Sequence, residues 1–119
     1  MKHLLDITDM SVSEIDALVN QAENIMKNRE AYAHALDGKT LATLFFEPST
    51  RTRLSFEAAM LELGGRVLGF SSADSSSAAK GETVGDTARV VSCFSDVIAM
   101  RHPKDGAARA AAAWAPVPL

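Results

Sequence analysis

Thr40-Leu41-Ala42-Thr43-Leu44-Phe45-Phe46-Glu47-Pro48-Ser49-Thr50-Arg51-Thr52-Arg53 decides how this chain is read. Residues 40–46 are a short, nearly continuous apolar run, the pattern of a strand covered on both faces. Glu47-Pro48-Ser49-Thr50 is loop chemistry. A helix follows from about Thr52 to Leu63, with Leu54, Ala58 and Leu61 on one stripe and Gly64-Gly65 as its stop. A strand, a polar turn rich in hydroxyls and arginines, and a helix start therefore succeed one another within fourteen residues.

The same alternation extends in both directions. Upstream, Ser11 and Glu14 form a capping box, and Ile15, Leu18, Val19, Ala22 and Ile25 recur at helical spacing. They predict a helix over about 12–35, with a break near Asn28. Downstream, Arg66–Phe70 reads as a second strand, Thr83–Phe94 as a helix, Asp96–Met100 as a third strand and residues 104–114 as an alanine-rich helix ended by Pro116 and Pro118. Between the second strand and its helix, residues 71–80 hold five serines and no large apolar side chain, which predicts a mobile surface loop. The rhythm implies an α/β fold, a parallel sheet with helices on both faces.

Composition narrows the function classes. The chain has 119 residues, 47% hydrophobic and 23% charged, with a formal net charge of −3. These are globular values and argue against a dedicated nucleic-acid binder. No apolar run approaches the roughly 18–20 residues of a membrane helix. The first residues, Met1 to Asp6, break into charge at once and show no secretory signal. The single cysteine, Cys93, cannot form an intramolecular disulfide and suits a reducing compartment. It sits in an apolar stretch with Val90, Val91 and Phe94, which predicts a core position. No cofactor is implied, and His3 and His34 have no partners at metal-ligand spacing.

In open parallel sheets, ligands bind beyond the carboxyl ends of the strands. Three segments fall there: Glu47–Arg53, Ser71–Lys80 and Arg101-His102-Pro103. Ser49, Thr50 and Thr52 offer hydroxyls at a helix N-terminus, where unpaired N–H groups and a partial positive charge favour anions. Arg51 or Arg53 can add a bidentate fork suited to phosphate. This is not a Walker loop, because its glycines and Gly-Lys-Ser/Thr ending are lacking. An ordinary N-cap beside two solvated arginines fits the same residues. Arg53 and Glu57, four apart, are expected to pair.

Phe45-Phe46-Glu47-Pro48-Ser49-Thr50-Arg51-Thr52-Arg53-Leu54-Ser55-Phe56-Glu57 resembles the carbamoyl phosphate signature of the aspartate/ornithine transcarbamoylases, in the variant of the aspartate enzymes. Lys80-Gly81-Glu82-Thr83 with Asp86-Thr87, and Met100-Arg101-His102-Pro103, resemble two further family segments in family order. The resemblance implies transfer of the carbamoyl group of carbamoyl phosphate to the amine of L-aspartate, in cytoplasmic pyrimidine biosynthesis, without a metal. It implies that Ser49, Thr50, Arg51 and Thr52 hold the phosphate and that Thr52 and Arg101 lie near the carbamoyl oxygen as the catalytic pair. It further implies that Ser76 and Lys80 reach a neighbouring subunit's site in a homotrimer. A regulatory chain or dihydroorotase is a further partner of some family members. The family's catalytic histidine lies beyond the matched positions, which leaves His102 a structural role.

The family continues past the position of Leu119 into another strand, a His-Pro-Thr-Gln segment and an aspartate-binding domain. The expectation is therefore a truncated carbamoyl-phosphate-binding domain over residues 1–119, an incomplete version of the fold, with the aspartate-binding domain absent. Three functions follow: a catalytic chain inactive alone, a carbamoyl-phosphate or phosphate-binding module, and a trimer-assembly module. Trp114 is expected to pack against the absent portion, and an exposed apolar patch to favour self-association.

Overall fold

A computed structural model describes residues 2–70 and 83–119. Ser76 and Lys80 lie outside the described residues, as does the serine-rich segment as a whole. Three parallel strands form one sheet: β1 (Thr40–Phe45), β2 (Arg66–Phe70) and β3 (Val97–Arg101), in the order β2-β1-β3. Among the described residues four α-helices accompany them: α1 (Val12–Lys27), α2 (Thr50–Glu62), α3 (Val84–Val91) and α4 (Ala107–Trp114).

The central strand explains the layering. Its side chains alternate between faces, as every strand's do. Ala42 and Leu44 pack with Ala88 of α3, Ile98 of β3 and Ala111 of α4 on one face. Thr43 points to the other face and reaches Glu57 of α2. Helices therefore cover both faces, as the apolar run over residues 40–46 predicts. Register is in step on both sides, with Thr43 opposite Gly69 and Ala99. The small alanines of α3 and α4 let those helices approach the sheet closely; Ala88 and Ala111 are fully buried.

The strand order sets the ligand position. From β1 the chain crosses to β2 on one side and then returns past β1 to β3 on the other. Connections thus diverge at the carboxyl ends of β1 and β3, the topological switch point where open α/β sheets bind ligands. The loop Phe46–Ser49 and the end of β3 flank this crevice, and a bond from Phe46 N–H to the Arg101 carbonyl at 2.9 Å closes its floor.

Element limits differ from the sequence reading where capping decides them. The predicted first helix is α1 plus a separate 3-10 turn over Arg29–Tyr32, broken at Asn28, whose N–H bonds back to Asn24 and Ile25. Ser11 and Glu14 form both halves of the capping box. Helix α3 stops at Val91, short of Phe94, so Cys93 lies in the turn that follows and is exposed, not in the core. Trp114 rests its ring against Gly85 with the Arg89 guanidinium 5.9 Å from its centroid, and is otherwise 59% exposed. Residues 118–119 run alongside β3 and the N-terminal segment: Ile98 N–H donates to the Pro118 carbonyl and Leu4 N–H to the Leu119 carbonyl.

Candidate functional site

The crevice is built from two strand ends and one helix start. Pro48 fixes the turn after β1, and Ser49 takes the cap position of α2 with φ −159° and ψ 64°. The Ser49 hydroxyl makes no capping bond to the helix. Instead Arg101, at the end of β3, donates to it from Nη1 at 3.1 Å. Arg101 Nε donates to Glu47 Oε1 at 2.8 Å. One guanidinium thus ties the loop after β1 to the end of β3. An arginine carries five N–H donors, so three remain for a ligand among the described contacts.

The helix start completes the donor set. The first helical amide to pair is that of Arg53, with the Ser49 carbonyl at 3.0 Å. The preceding amides of Thr50, Arg51 and Thr52 have no backbone partner among the described residues. Such unpaired N–H groups, on the positive end of the helix dipole, form an anion site. Arg51 is exposed and Thr52 half-buried.

The two arginines of the motif have different surroundings. Arg53 Nε donates to Glu57 Oε1 at 2.9 Å, and the pair is largely sheltered, with 30% and 17% side-chain exposure. Arg51 makes no ion pair among the described residues. Of the two arginines that could fork an anion, Arg51 is the more exposed and is not charge-paired among the described residues, whereas Glu57 offsets the charge of Arg53.

His102 spends its Nδ1 as acceptor for the Lys104 amide at 3.0 Å and rests its ring 4.8 Å from that of Phe46. These contacts give it a turn-forming role, as the sequence suggests. An apolar cavity of about 470 Å³ lies between the N-terminal segment, α2 and β3, with Lys2 the one charged side chain among the described residues on its wall. Its chemistry does not suit an anion. The crevice brings together Ser49, Thr50, Arg51, Thr52 and Arg101. It adds Glu47, whose signal in the sequence is only an acid placed between an apolar strand and Ser-Thr-Arg.

A family model described as aspartate/ornithine carbamoyltransferase, carbamoyl-P binding domain, matches residues 2–119. The chain belongs to the aspartate/ornithine carbamoyltransferase family. It is 59% identical over 119 residues to the aspartate carbamoyltransferase catalytic subunit of Lachnoclostridium phytofermentans, covering all of this chain and 39% of that protein. It is 52% identical over 118 residues to the corresponding subunit of Clostridium kluyveri, covering 99% of this chain and 39% of that one. Among solved structures it is similar to the catalytic subunit of M. jannaschii aspartate transcarbamoylase, with TM-score 0.92 and 48% identity, covering 99% of this chain and 40% of that chain. It also resembles aspartate transcarbamoylase of Trypanosoma cruzi in complex with carbamoyl aspartate and phosphate, with TM-score 0.88 and 39% identity, covering 98% of this chain and 36% of that chain. The chain therefore spans about 39% of the length of the curated carbamoyltransferase relatives it matches.

Proposed function

We propose that this chain is the carbamoyl-phosphate-binding part of an aspartate carbamoyltransferase. The observation that carries the reading is the convergence of Arg101, Ser49 and the open first turn of α2 at the switch point. In this reading the amides and hydroxyls of Ser49, Thr50 and Thr52, with Arg51, hold the phosphate group. Thr52 and the remaining donors of Arg101 face the carbamoyl oxygen.

The reaction is attack of the aspartate α-amine on the carbamoyl carbon, expulsion of phosphate and release of N-carbamoyl-L-aspartate. Negative charge grows on the carbamoyl oxygen as the amine adds. Donors already aimed at that oxygen lower the barrier, each by about 3–4 kcal/mol in well-studied oxyanion sites. Arg51 and the helix dipole stabilise the departing phosphate. Glu47 orients Arg101 by accepting from its Nε, which leaves the outer edge of the guanidinium toward the crevice.

Aspartate-binding groups belong, in this reading, to the part of the relatives that these 119 residues do not span. The chain alone is expected to bind carbamoyl phosphate and to turn over little or none of it. A cytoplasmic homotrimer with Ser76 and Lys80 completing a neighbour's site fits the same reading, as does a regulatory chain or dihydroorotase as a further partner. Titration of carbamoyl phosphate followed by amide NMR tests the site: the Thr50, Arg51 and Thr52 resonances should move first and most. Shifts confined to residues outside the crevice would refute it.

A further inference from the structure

We propose that Glu57 is a positioning residue, which with buried Thr43 clamps Arg53 and so fixes the first turn of α2 over the sheet. This deepens the carbamoyl-phosphate reading and rests on it.

Thr43 lies in the middle of the central strand and is 0% exposed. A hydroxyl buried there is costly unless it is bonded. Its Oγ1 donates to Glu57 Oε1 at 2.9 Å. The same carboxylate oxygen accepts from Arg53 Nε at 2.9 Å. A single oxygen therefore joins the floor of the sheet to the helix at the residue immediately after the anion donors.

Room for this bond is made on the neighbouring strand. Gly69 pairs with Thr43 in register and has φ +147°. A Cβ at Gly69 would lie 2.6 Å from Thr43 Oγ1 and would collide with the Thr43 carbonyl oxygen. The absent side chain leaves the threonine hydroxyl free to face Glu57.

The clamp has two effects on the site. It ties Arg53 Nε to a carboxylate and offsets the charge of that cation, while Arg51, two positions earlier, lies on another face of the helix. It also holds the helix at the residue whose amide makes the first helical bond. Displacing a preorganised donor set by about 1 Å can cost a hundredfold in function. Glu57 touches no ligand in this account and acts through Arg53.

The test compares wild type with Glu57→Gln and Thr43→Val by calorimetric titration of carbamoyl phosphate, with inorganic phosphate as second probe. Each variant is checked by circular dichroism and assayed well below its melting temperature. Binding should weaken about 5- to 20-fold in each, within the range that misplacement of a positioned group produces. The double variant should be no weaker than the weaker single one, because both break one relay. Should Thr43→Val fail to fold, Arg53→Met removes the other bond of the relay, since the thioether chain cannot donate to Glu57. Without any ligand, the Thr50, Arg51 and Thr52 amide resonances should shift in Glu57→Gln. Folded variants that bind as wild type does would overturn the inference while leaving the site intact. A wild type that binds neither probe would overturn the site; unmoved ligand-free resonances would then overturn the clamp as well.

Discussion

Arg101 Nη1 donates to Ser49 Oγ at 3.1 Å, joining the ends of β3 and β1 across 52 positions of sequence. The same guanidinium holds Glu47 through Nε. A planar guanidinium can serve two partners through different nitrogens and still offer donors to a third. Arg101→Lys should keep the charge and lose the geometry. Carbamoyl phosphate affinity should fall about tenfold or more, as loss of a charged hydrogen bond of about 1.5–3 kcal/mol requires. Titration calorimetry checks it, and an unchanged Kd would mean that charge alone suffices.

Gly69→Ala should be among the most damaging single-methyl changes in the chain. The new Cβ meets the Thr43 backbone, which cannot rotate away, at a φ that L-residues avoid. Steric overlap and backbone strain each cost about 1–3 kcal/mol, so a loss of roughly 3 kcal/mol or more is expected. Urea unfolding measures it. Gly38→Ala is the control, because a Cβ there meets nothing within 4 Å although φ is also positive.

Acid should weaken the N-terminal anchor. Asp6 caps the 3-10 turn Ile7–Asp9. The Thr8 backbone N–H and hydroxyl, with a further pull from Arg109, hold its carboxyl below the ordinary value of 3.8. A lowered folded value means that the unfolded chain binds the proton first as pH falls. The Asp6 contribution is therefore complete above about pH 4 and is lost as pH drops through the lower folded value. Between pH 5 and pH 2.5 the melting temperature of wild type should fall more steeply than that of Asp6→Asn. Parallel curves would contradict this.

Cys93 should react in the folded protein. It is exposed in the turn after α3, beside Phe94, which is 67% exposed. A thiol reagent such as DTNB should modify one thiol per chain without denaturant. Protection until unfolding would indicate that this surface is covered, as by self-association through Val90 and Phe94.

Much of the fold is legible in the sequence because local and global signals agree. The apolar run at 40–46, the glycine pair at 64–65 and the capping box at Ser11 mark their elements directly, and Arg66–Phe70 is found at its observed limits. The limits of α3 and α4 are less legible. Local pattern extends α3 to Phe94, but the helix ends at Val91 and Ser92 bonds back to Ala88. Cys93 follows that error: Val91 packs on the core, but Val90 and Phe94 are themselves exposed. In the crevice, Ser49–Thr52 and Arg101 stand out through residue type and position. Glu47 and Thr43 do not, because their roles depend on partners 54 and 14 residues away, which strand pairing and the packing of α2 on the sheet bring close.

The central claim is that residues 49–52 and 101 form a working half-site for carbamoyl phosphate. Calorimetric titration of carbamoyl phosphate into this chain, with Arg51→Ala in parallel, tests it most directly. The account predicts saturable binding by wild type and its loss, by at least about tenfold, in the variant. A folded wild type that gives no binding heat at any temperature, or an Arg51→Ala chain that binds equally well, would contradict it.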